Sequence, residues 1–156
     1  MPNQINNFFS IFLNPVLLPA LFAWLLAQFL KVVIELMRYK RFRPLLIVAS
    51  GGMPSSHTSF SIALSTSVGL HSGFNSVIFG VTFAYAIIVM TDATGVRQAA
   101  GKHAVVLNRM LEKLYDAKEL DFGKLKELIG HKPMEVLAGA ILGVVVGIVW
   151  WLIIVY

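Results

Sequence analysis

The residues best suited to chemistry fall in three short runs. The first is Gly51-Gly52-Met53-Pro54-Ser55-Ser56-His57. Two glycines free the backbone, a proline sits where a helix can start, and two hydroxyls and an imidazole follow. Helix N-termini present unpaired N–H groups and a positive dipole end, so this run reads as a phosphate cradle. His57 could move a proton inside it. The second run holds Lys31 and Arg38, seven residues apart and so on one face of a helix. Both could face an anion in the cradle. Equally, Lys31 could snorkel to a membrane surface with Glu35 as its partner, leaving Arg38 as a flanking charge.

The third run pairs His131 with Glu135, four residues on. A carboxylate at that spacing can hold one imidazole nitrogen, fix the tautomer and raise the basicity of the other. A plain helix start with a dipole-favoured glutamate has the same pattern. Two imidazoles, two cations and a helix-end cradle together suit phosphoryl transfer. One imidazole attacks phosphorus, the other protonates the leaving oxygen, and the cations and N–H groups take up oxygen charge. Asp92 and Glu135 stand apart from each other with no partner at metal-ligand spacing, so no metal and no cofactor are expected.

These residues must be positioned by membrane helices. The chain of 156 residues is 57% hydrophobic and 13% charged, with a mean hydropathy of +0.75. That composition excludes an ordinary soluble domain and points to a single all-α, polytopic membrane domain over residues 1–156. There is no cysteine, so no disulfide framework. The N-terminal 14 residues carry no Lys or Arg, unlike a cleaved signal peptide, so the first apolar stretch is expected to be retained.

Four apolar stretches are expected to span, at about 15–36, 54–70, 75–93 and 133–156. The second is rich in Ser, Thr and Ala, as suits a helix buried among others. A short apolar run at 44–50 reads as re-entrant. The polar segment at about 95–132 carries Leu107, Met110, Leu111 and Leu114 at helical spacing. A second short helix begins at Asp121, carries Leu125, Leu128 and Ile129, and ends at Gly130. Both read as interfacial helices. In the fourth span, Gly139, Gly143 and Gly147 allow a close helix approach, either within the chain or as the seam of a homodimer.

All 13 basic residues lie in two stretches, 31–43 and 97–132. With four spans both fall on one side, together with the cradle, and the positive-inside rule makes that side cytoplasmic. The basic residues thus explain the pI near 9.7 as topology, with Lys40, Arg41 and Arg43 contacting lipid headgroups. No aromatic-basic groove indicates nucleic acid.

The same residues resemble the divergent branch of the type 2 phosphatidic acid phosphatase superfamily, related to acid phosphatases and vanadium haloperoxidases. The superfamily pattern runs Lys, six residues, Arg-Pro; then Pro-Ser-Gly-His; then Ser-Arg, five residues, His, three residues, Asp. Here Lys31 to Arg38 keeps the first spacing, with Tyr39 for proline. Pro54-Ser55-Ser56-His57 keeps the second, with Ser56 for glycine. His131 to Glu135 keeps the end of the third, with Glu for Asp, while Leu125 stands where the arginine belongs. Further runs are similar to the divergent branch: Asp92-Ala93-Thr94-Gly95-Val96-Arg97, Ala100-Gly101-Lys102 and Gly130-His131-Lys132-Pro133. The likeness extends over about residues 20–147.

The resemblance implies a phosphatase acting on a lipid phosphate monoester or pyrophosphate through a phosphohistidine. It gives His131 as nucleophile, His57 as acid and Glu135 as the group orienting His131. It gives Lys31, Arg38, Ser55 and Ser56 as phosphate ligands. Arg97 is the expected stand-in for the missing arginine, with Asp92 about one turn earlier, and Asp92 and Gly52 are expected to support the site. A structural Asp92–Arg97 pair is the alternative. The expected setting is a bacterial cell membrane, with membrane lipids around the protein and the site on its cytoplasmic face. A non-enzymatic anion-binding or transport protein would need the same cations and donors, but not an imidazole aligned with a carboxylate.

Overall fold

A computed structural model describes residues 10–40, 52–114 and 131–155, apart from the side chains of Phe12, Arg38, Tyr39, Arg97 and residues 112–114. All regular structure among the described residues is helical. A 3-10 turn, Ser10–Leu13, leads into α1, Leu17–Tyr39. Asn14 makes the join: its side-chain oxygen accepts from the N–H groups of Val16 and Leu17 at 3.0 and 3.1 Å. Those donors would otherwise be orphaned at the helix start. α1 closes at Lys40, whose φ of 52° is left-handed and whose N–H returns to the Leu36 carbonyl.

The remaining helices are α2, Ser56–Ser72; α3, Val77–Thr94; α4, Val96–Leu114; and α5, Pro133–Val155. Gly73, at φ +88°, turns the chain out of α2, and the Ser76 hydroxyl caps α3 by accepting from the Phe79 N–H. The expected re-entrant run at 44–50 and the short helix at 121–130 lie outside the described residues, as do Gly51, Arg41 and Arg43.

α2 is the axis of the bundle. It packs against α1, α3 and α5, which also touch in the pairs α1–α5 and α3–α5. Among the described residues α1 and α3 do not pack against each other. Three helices therefore enclose α2 on all sides but one. Its Ser56, Thr58, Ser59, Ser61, Ser65 and Ser67 are buried. Part of that polarity is met locally: Ser59 Oγ donates to the Ser55 carbonyl at 2.8 Å and Ser61 Oγ to the Thr58 carbonyl at 3.2 Å. Small side chains let neighbouring helices come close, where dispersion contacts rather than hydrophobic burial hold membrane helices together.

The glycine stripe of α5 exploits this. A Cβ at Gly139, Gly143 or Gly147 would lie 2.5 Å from the Ser55 carbonyl oxygen, 2.7 Å from that of Ser59 and 2.9 Å from Thr66 Cβ. The stripe is buried against α2 of its own chain, so these three glycines are not open to a second copy. Outside, the bundle is apolar. Leu25, Phe29, Val81, Ile88, Ile141 and Ile153 are all exposed, as a hydrocarbon solvent requires.

This is a polytopic helical membrane protein. Among the described residues three stretches, Leu17–Met37, Val77–Leu111 and Pro133–Val155, are long and apolar enough to cross a bilayer. The fourth expected span, α2, is not among them. Its neighbours shield it, so it does not need to be apolar. α2 also starts two residues later than expected, because Ser55 rather than Pro54 makes the helix boundary. Among the described residues, the polar segment after α3 holds one long helix, α4. Its buried positions are Gly101, Ala104 and Asn108, while Leu107 and Met110 of the expected apolar face are exposed.

Gly143→Val is expected to lower the thermal midpoint in detergent by several degrees, since forcing bulk into a filled contact costs about 1–3 kcal/mol. Gly80→Ala, where a Cβ meets nothing within 4 Å, should leave the midpoint unchanged or raise it. Equal effects of the two substitutions would contradict the packing described.

Candidate functional site

Four helix ends meet at one end of the bundle. The polar part of α1, the starts of α2 and α5, and the end of α3 converge there. Two backbone hydrogen bonds fix the junction. The Ser55 N–H donates to the Glu135 carbonyl at 2.9 Å, and the His131 N–H donates to the Ala93 carbonyl at 3.0 Å.

The first turn of α2 is organised by Ser55. This residue is fully buried. Its Oγ accepts from the Thr58 N–H at 3.4 Å and from the Thr58 hydroxyl at 3.0 Å. The Ser55 hydroxyl thus accepts both bonds of the cap, a role beside the phosphate contact expected of it. Ser56 differs. Its Oγ accepts from Lys31 Nζ at 3.1 Å, and the same ammonium donates to Gln28 Oε1 at 2.9 Å. Lys31 is buried, so it does not snorkel outward from α1. Gly52, at φ +86°, brings the incoming chain against the Lys31 stem, where a Cβ would lie 3.8 Å away. The left-handed conformation explains why glycine stands there.

The start of α5 is built in a complementary way. Pro133 takes the first helical position, where its missing N–H costs nothing. Glu135 Oε2 reaches back to the Lys132 N–H at 3.3 Å, half of a capping box. The same oxygen lies 2.8 Å from His131 Nδ1. His131 is buried and Glu135 is 18% exposed. One carboxylate therefore starts the helix and holds the imidazole, which leaves Nε2 as the nitrogen available for chemistry. The Glu135 charge also acts on the Lys31 ammonium, linking the two halves of the site.

His57 and His131 line one cavity of about 240 Å3 together with Asp92, Tyr85 and Val89. Asp92 is thus part of the cavity wall rather than remote from it. Lys31 and Ser56 do not line it and adjoin it through the first turn of α2. Arg38 lies on α1 two turns after Lys31, and Arg97 lies in the first turn of α4. The side chains of both are outside the described residues.

Two contributors escaped the sequence reading. Gln28 shares the Lys31 face of α1 three residues earlier, and its polarity in an apolar stretch was the available signal. Tyr85 lies two turns before Asp92 on one face of α3, with Ile88 and Val89 between them. That spacing matches the i, i+3, i+4, i+7 stripe of a helix facing a common partner.

An all-helical bundle with two helix N-termini, a buried lysine and a carboxylate-held histidine at one end defines a polytopic membrane protein with a polar cluster built into its helix ends. Comparison narrows the class. Residues 12–146 match the model of the Divergent PAP2 family. The chain is 39% identical to the uncharacterized membrane protein YuiD of Bacillus subtilis (strain 168), in an alignment of 147 positions covering 87% of this chain and 93% of that one. The protein belongs to the Divergent PAP2 family. No solved structure matches it.

Ser55→Ala removes the acceptor for both Thr58 donors. It is expected to destabilise the protein by about 1 kcal/mol, within the roughly 0.5–2 kcal/mol range of lost helix caps. Ser72→Ala, at an exposed position of the same helix, should change the thermal midpoint little. An unaltered midpoint in Ser55→Ala would contradict the capping role.

Proposed function

We propose that this protein hydrolyses a lipid phosphate, a monoester or a pyrophosphate, through a phosphohistidine formed on His131. The observation that carries this reading is the pair of imidazoles on one cavity, one held through Nδ1 by Glu135. The Nε2 lone pair of His131 forms the N–P bond as the bond from phosphorus to the leaving oxygen breaks. His57 passes its proton to that oxygen. Water then attacks the phosphohistidine, His57 takes a proton from it, and the N–P electron pair returns to Nε2. Glu135 holds the tautomer and stabilises the positive charge that develops on the ring.

Charge on the phosphoryl oxygens is met by the N-terminus of α2 and by Lys31 with Ser56. Arg38 and Arg97 complete the set, with Arg97 replacing the arginine of the wider pattern and Asp92 supporting the wall. Ser55 contributes by holding the helix start. The distribution of basic residues supports a cytoplasmic site in a bacterial cell membrane. The apolar exterior supports a lipid substrate.

Purified protein should release phosphate from lipid phosphates. His131→Ala and His57→Ala should each lower the rate by at least the roughly 10^2–10^4-fold that a positioned proton-transfer group supplies. Turnover at the wild-type rate in both variants would overturn the mechanism. Thermal stabilisation by phosphate or vanadate without hydrolysis would favour a binding or transport role instead.

Sidedness has its own test, since the chain contains no cysteine. In intact cells a membrane-impermeant maleimide should label Ser72→Cys but label Lys124→Cys only after permeabilisation. The reverse pattern would overturn the cytoplasmic placement.

A further inference from the structure

The open side of α2 lies in the gap between α1 and α3. Along α2 the residues from Ser55 to Ala63 are buried, except His57, which is exposed, and Phe60, which is half-buried; Leu64 continues the half-buried stripe. Positions 57, 60 and 64 form one helical face. That face is the floor of a slot whose walls, α1 and α3, do not pack against each other among the described residues.

The slot holds a second cavity of about 360 Å3, lined by Leu21, Trp24, Phe60, His57, Tyr85 and Val89. The last three also line the histidine cavity, so the two spaces adjoin along these residues. The volume falls within the roughly 300–1,000 Å3 of small-molecule sites.

All three helices change polarity in the same direction along this slot. On α1, Leu21 and Trp24 give way to Gln28 and Lys31 on the same face. On α2, Phe60 gives way to His57. On α3, Tyr85 and Val89 give way to Asp92. From Leu21 to Lys31 is ten residues, about 15 Å along a helix at 1.5 Å per residue. A slot that is apolar for most of this length, polar at one end and open sideways is shaped for an amphiphile.

We propose that the slot between α1 and α3 is a hydrocarbon-chain subsite, through which a lipid phosphate enters sideways from the bilayer with one chain lying over Phe60 between Trp24 and Tyr85. This rests on the reading of the histidine cavity as a phosphate site. The occupant is a chain attached to the bound phosphate, because the apolar cavity adjoins the polar one and shares His57, Tyr85 and Val89 with it. Tyr85 and His57 stand at the junction, where the headgroup meets the chain.

The test uses the full protein in phosphatidylcholine vesicles and a phosphatidic acid bearing a diazirine in one acyl chain near the carbonyl. After irradiation, adducts are mapped by mass spectrometry. They should concentrate on Leu21, Trp24, Phe60, Tyr85 and Val89. Leu21→Trp, and independently Val89→Trp from the opposite wall, should cut this labelling at least fivefold while adducts on outward-facing Ile153 persist. Phosphatidylcholine carrying the same diazirine chain should label Ile153 but spare the slot.

Equal slot labelling by both lipids would mean ordinary bilayer contact and would overturn the proposal. So would adducts spread over the outer faces of α3 and α5, or slot labelling undiminished in both Trp variants. His131→Ala should keep the slot adducts. Labelling intact without phosphate release in the wild type would count against the phosphatase reading alone, and phosphate release without slot labelling against the subsite alone.

Discussion

The hydrogen bond from the Ser55 N–H to the Glu135 carbonyl is the constraint on which the site depends. It places the N-termini of α2 and α5 side by side. His57 lies two residues beyond one end of that bond and His131 four residues before the other, so their approach follows from it. The bond is possible only because Gly139 carries no side chain where α5 meets the Ser55 carbonyl. Adjacent N-termini bring two positive dipole ends together, which is unfavourable unless negative charge lies nearby. Glu135 supplies part of that charge, and a bound anion would supply more.

The same packing explains the unusual character of α2. A helix rich in Ser and Thr is a poor lipid-facing span, but a good axis for a bundle whose neighbours must come close. The polar core is tolerable because Ser55, Ser56, Ser59 and Ser61 find partners within their own turn or in Lys31. The cost of enclosing α2 with three helices is that the ring does not close. The opening falls along His57, Phe60 and Leu64, so the histidine end of the bundle opens sideways between α1 and α3.

Much of this was legible in the sequence because the signals are periodic and local. The polar end of α1 at Lys31, the His131 to Glu135 spacing and the turn at Ser55 each depend on one helix or one helix start. What failed to read were choices between partners. The glycines at 139, 143 and 147 announce a close approach, but spacing alone does not say to which helix, and α2 proved to be the answer. A hydroxyl in a first turn can cap the helix or face a ligand with equal ease, and the cap made by Ser55 became visible only with the position of Thr58. Asp92 was visible as a lone acid at the end of a span, but its place on the histidine cavity required the position of α3 against α2.

The most direct test of the central claim is the covalent intermediate. Protein mixed with a lipid phosphate, quenched within milliseconds in alkali and digested, should show one phosphoryl group on the peptide containing His131. That group should disappear in His131→Ala and persist longer in Glu135→Gln only if breakdown slows more than formation. Rapid phosphate release with no phosphoryl group on His131 at any time, and undiminished release by His131→Ala, would contradict the account.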